Sequence, residues 1–232
     1  MTKIDPANRS FRKAGLTAGV ALLILAVLAG YATLGIIGKL VTEGDGAKTA
    51  QDILASQALF RIGIGSLVIV AVLDVVVAWA LQIFFRPVHK SISTLAAIFR
   101  ISYAAIYIVA ISQLLVAVNL LTNVEYAKVF TAGQIHAETL QRIESFNSIW
   151  QIGLIFFGVH LLLIGYLAYK SGYVPKFLGI LLAIAGAGYL IDSFGTIVSV
   201  GYTADVARFT FVGEALLVVW LLIKGRKVNL TK

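Results

Sequence analysis

The chain has 232 residues, 59% of them hydrophobic and only 13% charged, with 19 Lys and Arg against 11 Asp and Glu. A water-soluble domain of this size needs a far more polar surface, so the apolar excess points to lipid as the surrounding medium. The lack of cysteine excludes disulfides, thiolate nucleophiles and Cys metal sites. The net charge of +8 comes without an arginine-rich tail or recognition motif, which argues for anionic lipid headgroups and against nucleic acid as the partner.

Ala14–Gly38 is an uncharged apolar run long enough to cross a hydrocarbon core of about 30 Å. It exceeds the apolar core of a signal peptide and is read as the first span. Five more runs come after it: Leu59–Phe85, Ile92–Leu121, Asn147–Tyr169, Phe177–Ser199 and Val206–Ile223. The expectation is an all-α fold: a polytopic bundle of six transmembrane helices forming a single membrane domain over residues 1–232. Pro87 and Pro175 fall in turns and no proline breaks a span, unlike the interrupted helices of many transporters.

Lys and Arg set the expected topology. The N-terminal tail (Lys3, Arg9, Arg12, Lys13), the turn after span two (Arg86, Lys90), the turn after span four (Lys170, Lys176) and the C-terminal tail (Lys224, Arg226, Lys227, Lys232) carry twelve on one side. The other side has six: Lys39, Lys48, Arg61, Lys128, Arg142 and Arg208. The bias places both termini in the cytoplasm, as an even number of spans requires.

Two non-cytoplasmic segments exceed turns. Asp45 is positioned to cap a helix over Ala47–Ala58, and Thr122–Phe146 mixes Ile135, Leu140 and Ile143 with polar residues. Both suit amphipathic helices on the membrane surface, or lids over a cavity. Trp79, Trp150 and Trp220 read as interface anchors. Gly15-x-x-x-Gly19 suits close helix packing, within the chain or in a homo-oligomer. Asn8-Arg-Ser and Asn229-Leu-Thr match glycosylation acceptors by chance, since both fall on the cytoplasmic side.

Asp74, Arg100, His160, Asp192 and Glu214 lie inside the apolar runs. A charge there costs roughly 2.5–3.5 kcal/mol on insertion scales, so these groups turn inward, pair or become neutral. Spans two and three form a hairpin centred near Val88 and His89, which sets Asp74 opposite Tyr103 and within about 4.5 Å of the level of Arg100. An Asp74–Arg100 ion pair is expected, as a structural lock ahead of a catalytic group. Tyr103 and Tyr107 share a helix face with Arg100 and are candidate cavity-lining residues. Asp192 and Glu214 lie eleven residues either side of Thr203, which places them at similar depth, whereas counting from the cytoplasmic ends puts Glu214 level with His160 and Asp192 about 9 Å further out. A His with two acids suits a divalent metal, a proton relay or, with Ser193 as nucleophile, hydrolysis of a lipid. A hydrogen-bonded interhelical clamp weighs equally. There is no HExxH, no Gly-x-Ser-x-Gly and no motif naming a cofactor.

Phe156-Phe-Gly-Val-His160, Gly165-Tyr-Leu, Lys170-Ser-Gly-Tyr-Val-Pro175, Gly188-Tyr-Leu-Ile-Asp192-Ser and Gly213-Glu214 with Trp220-Leu-Leu-Ile-Lys-Gly225, together with Ala55-to-Arg61 and Ile98-Phe-Arg100, resemble an uncharacterised bacterial membrane family, domain of unknown function 4386. The resemblance covers nearly the whole chain. It implies a bacterial multi-helix protein of the cytoplasmic membrane and supplies no activity, cofactor or catalytic residue. Its pattern includes Arg61, Arg100, His160 and Glu214. Three functions remain, in order of preference: a small transporter or ion- or ligand-binding membrane protein, a non-catalytic accessory protein, and an intramembrane metal- or serine-dependent lipid hydrolase.

Overall fold

A computed structural model of the chain describes residues 6–228. Lys3, Lys232 and the Asn229 acceptor lie outside the described residues, which are helices and short connections with no strand among them. Helix α1 (Pro6–Gly30) continues through a π-helical stretch, Tyr31–Ile37, and a last turn, Gly38–Leu40. Then come α2 (Gly46–Ala55), α3 (Gln57–Phe85), α4 (Lys90–Thr122), α5 (Val124–Val129), α6 (Ala132–Lys170), α7 (Lys176–Val198), α8 (Ala207–Thr210) and α9 (Val212–Ile223).

Among the described residues five helices are long and apolar enough to cross a membrane: Asn8–Leu40, α3, α4, α6 and α7. Val27, Leu34, Trp79, Ile98 and Ile197 stand largely exposed on them, an apolar surface that needs lipid around it. The architecture is that of a membrane protein.

Two elements depart from expectation. Val206–Ile223 is not one unbroken helix: α8 has 4 residues and α9 has 12, and the 12 residues of α9 reach only about 18 Å. The fourth helix starts fifteen residues before Asn147, at Ala132, and runs for 39 residues, about 58 Å and nearly twice the hydrocarbon core. Most of the Thr122–Phe146 segment is therefore the first part of α6. Its start is set by the Gln134 side chain, whose Oε1 accepts from the Thr131 amide at 2.9 Å, and no proline interrupts the helix beyond that point. At α2, Asp45 Oδ1 accepts from the Lys48 amide at 2.9 Å, the cap its spacing predicts.

The contacts group the chain into two compact units. One holds the described residues through Ile24, Leu73–Ala104 and those from Gln151 onward. In it Phe11 stacks on Phe84 at 4.6 Å, Tyr173 meets both rings edge-on, and the Tyr173 hydroxyl donates to the Phe84 carbonyl at 2.8 Å. The Trp220 ring meets Phe84 edge-on at 6.3 Å. Gly15 and Gly19 face Phe84 and Leu221–Leu222, so this small-residue pair is occupied within the chain. The turn between α6 and α7 passes through Gly172 at φ +73°, a conformation that suits glycine.

The α6–α7 pairing rests on four glycines. A Cβ on Gly179 meets the Gly165 carbonyl oxygen at 2.7 Å, and one on Gly186 meets the Gly158 carbonyl oxygen at 2.6 Å. Only backbone touching backbone allows this approach.

The second unit holds Leu25–Val72 and Ala105–Trp150. Here α2 packs on α6, with Gly46 against the His136 carbonyl and Thr49, Ile53 and Ile143 buried. Arg61 donates to Asn119 Oδ1 at 3.2 Å. Trp150 lies among the rings of Tyr107 and Phe146.

Gly186→Ala is expected to lower thermal stability by about 1–3 kcal/mol, because the added methyl has no room and the two helices must separate. Gly30, which has open space around it, is the control: Gly30→Ala is expected to be neutral or stabilising by up to about 1 kcal/mol. Thermal unfolding in detergent checks both.

Candidate functional site: a buried arginine beside an open carboxylate

Arg100 on α4 is 3% exposed and Asp74 on α3 is 2% exposed. The guanidinium donates from Nε at 2.9 Å and from Nη2 at 2.6 Å, both to Asp74 Oδ1. Its Nη1 lies 3.3 Å from His160 Nε2, and His160 Nδ1 lies 2.8 Å from the Ala96 carbonyl. The two partners assign the tautomer. A carbonyl only accepts, so Nδ1 carries the hydrogen, and Nε2 offers its lone pair to the arginine. His160 is thus neutral, with both nitrogens in use. The guanidinium also sits 5.3 Å from the centroid of the Phe157 ring, a cation–π contact.

Arginine carries five N–H groups, and these bonds use three of them. Beside Arg100 is a cavity of about 20 Å³ that is also lined by His160, Glu214, Leu22, Leu81 and Leu182. A water needs roughly 10–15 Å³ of such volume, so the space holds one water or one small ion and no organic substrate. Glu214 Oε1 is buried with no hydrogen-bond partner among the described residues, and the Tyr189 hydroxyl interacts with the same carboxyl group.

Asp192 is not among the residues that line this cavity. Its Oδ1 accepts from the Tyr202 hydroxyl at 2.8 Å and from the Val206 amide at 3.0 Å, and its Oδ2 accepts from the Ala207 amide at 2.7 Å. It caps the start of α8. Gly213 meets the backbone of Leu181 and Leu182, so Glu214 lies level with Leu182, ten residues and about 15 Å along α7 from Asp192. Equal spacing from Thr203 does not produce equal depth, because residues 199–206 form an irregular loop.

A model of the family described as domain of unknown function DUF4386 matches residues 17–225. The chain belongs to the DUF4386 family. An uncharacterized protein of Archaeoglobus fulgidus is 42% identical over 161 residues, covering 69% of this chain and 82% of that protein. No solved structure matches the chain.

In this DUF4386 chain the remaining candidates are packed. Tyr103 is buried against Phe157, with ring centroids 5.0 Å apart, and Tyr107 is buried against Phe146 and Trp150. Ser193 Oγ is buried and has no partner among the described residues. It has no base in His160, whose nitrogens face Arg100 and Ala96. Among the described residues no three His, Asp or Glu side chains are placed to hold a metal. A larger cavity of about 660 Å³ lies by Tyr126, Phe130 and Glu138, but Glu138 is paired with Arg142 at 2.6 Å and Gln134 caps Thr131. Sequence reasoning missed Phe157, Tyr189 and the Ala96 carbonyl. The signal for Phe157 is its position three residues before His160, on the same helix face.

Asp74→Asn strips the counter-charge from a buried guanidinium and is expected to cost about 3–5 kcal/mol. The double variant Asp74→Asn/Arg100→Met, which removes both charges, is expected to be more stable than the single one in thermal unfolding. At Tyr202, outside the spanning helices, the hydrogen bond to Asp192, ahead of desolvation, raises the phenol pKa. Its contribution to stability is complete below the unfolded value near 10 and fades as pH rises through the higher folded value. Ultraviolet titration of wild type against Tyr202→Phe is expected to show one phenol ionising late, and Asp192→Asn is expected to bring that phenol back down.

Proposed function

We propose that this protein binds and moves a proton or small cation within the membrane, at the cavity formed by Arg100, His160 and Glu214. One observation carries the reading: Glu214 presents to a one-water space a buried carboxyl oxygen with no partner among the described residues. Ionisable groups at this depth are costly and mark pathways when they are not fully paired. Arg100 and Asp74 cancel each other's charge, so Glu214 is the group free to gain or lose a positive partner. The proposal takes the chain to cross the cell membrane six times, with α8 and α9 as the short sixth crossing and both termini cytoplasmic, as the Lys and Arg bias supports.

An accessory role is the second reading, favoured by the buried Asp74–Arg100–His160 network, which has the form of interhelical glue. Lipid hydrolysis has less support, since neither a base for Ser193 nor a three-ligand metal group is present among the described residues.

In proteoliposomes carrying a pH or cation gradient, Glu214→Gln is expected to abolish flux and His160→Ala to reduce it sharply, with folding retained. Unchanged flux in Glu214→Gln would sink the transport reading and leave the accessory one.

A further inference from the structure

Three buried side-chain oxygens lack a partner among the described residues: Gln151 Oε1, Ser193 Oγ and Glu214 Oε1. The glycine seam relates two of them. Gly165 faces Gly179 and Gly158 faces Gly186, pairs separated by one heptad on each antiparallel helix. Seven residues are close to two full turns, so each heptad returns to nearly the same face. Carried one heptad further, the same register sets Gln151 opposite Ser193. By this register two unsatisfied polar groups, one of them fully enclosed, fall at one level of the α6–α7 seam.

Tyr189 connects this place to the site. It lies one turn before Ser193 on the same face of α7, its ring meets Phe157 edge-on at 5.3 Å, and its hydroxyl interacts with Glu214. The polar groups thus ascend α7 from the level of Glu214, near Leu182, through Tyr189 to Ser193 and Gln151. Each step is about one or two helical turns through an otherwise apolar interior.

We propose that Tyr189, Ser193 and Gln151 form a proton path between the Glu214 cavity and the C-terminal end of α7. This rests on the assignment of Glu214 as the proton-accepting group. Each hydroxyl takes a proton on its oxygen lone pair and releases the one it held to the next oxygen. The Glu214 carboxyl group receives the proton from the Tyr189 hydroxyl, and no electrons change hands. Gln151 transfers none itself: its carbonyl, with the Ser193 hydroxyl, holds the single water that spans the gap. Leaving these groups unpaired with one another keeps them available to that water.

The test is proton flux into proteoliposomes for Tyr189→Phe, Ser193→Ala and Gln151→Leu, beside Glu214→Gln. Each path variant is expected to lower flux about tenfold, or roughly 1.4 kcal/mol in barrier. The chain has no cysteine, so Ser193→Cys introduces a unique thiol of nearly the same size. That thiol is expected to react with Ag⁺ from the aqueous side and stop flux, whereas one at the outward-facing Phe194 leaves flux unchanged. Wild-type flux in Tyr189→Phe and Ser193→Ala overturns the path, and if Glu214→Gln is inactive in the same vesicles the Glu214 assignment stands. Wild-type flux in Glu214→Gln removes the destination and overturns both. A Ser193→Cys thiol inert to Ag⁺ overturns the path whatever the flux.

Discussion

Arg100 is a permanent positive charge in an apolar interior, and α3 and α6 supply side chains to meet it. Bulk water is shut out from the guanidinium, so most of its N–H groups need protein partners. Asp74 on α3 supplies the charge, His160 on α6 supplies a lone pair, and Phe157 supplies a ring face. His160 in turn ties back to α4 through the Ala96 carbonyl. These bonds fix how α3, α4 and α6 meet at this level. They also define which carboxylate is left over.

That carboxylate is Glu214. Asp74 is consumed by Arg100 and Asp192 by the start of α8, so the acids inside the apolar runs are distinguished by their partners rather than their depth alone. Two buried acids act as structural ties, and the third faces a space the size of one water. A group that is satisfied holds position, and one that is unsatisfied can exchange a partner.

The glycine seam plays a different part. By letting α6 and α7 touch backbone to backbone, it sets a fixed antiparallel register. The register in turn decides which side chains share a level further along: His160, Leu182 and Glu214 line one cavity, and the same spacing carries Gln151 to the level of Ser193. Tight packing and polar placement are therefore one constraint, because a shift along the seam moves the polar pairs with it.

Much of this was legible in the residues alone. Apolar runs of twenty or more residues have one physical solution in lipid, and so the helices and their medium are set by composition and period. The Asp74–Arg100 level comes from counting back from a short turn, where the chain has little freedom. Counting outward from Thr203 fails across residues 199–206, because an irregular loop consumes residues without a fixed rise, whereas counting from the cytoplasmic ends already sets Asp192 further out than Glu214. The tautomer of His160, the orphan oxygen of Glu214 and the one-water cavity belong to the tertiary structure alone, since each depends on which side chains from distant segments arrive at a common point. Local periodicity specifies where a side chain lies along its own helix; only packing decides what it faces.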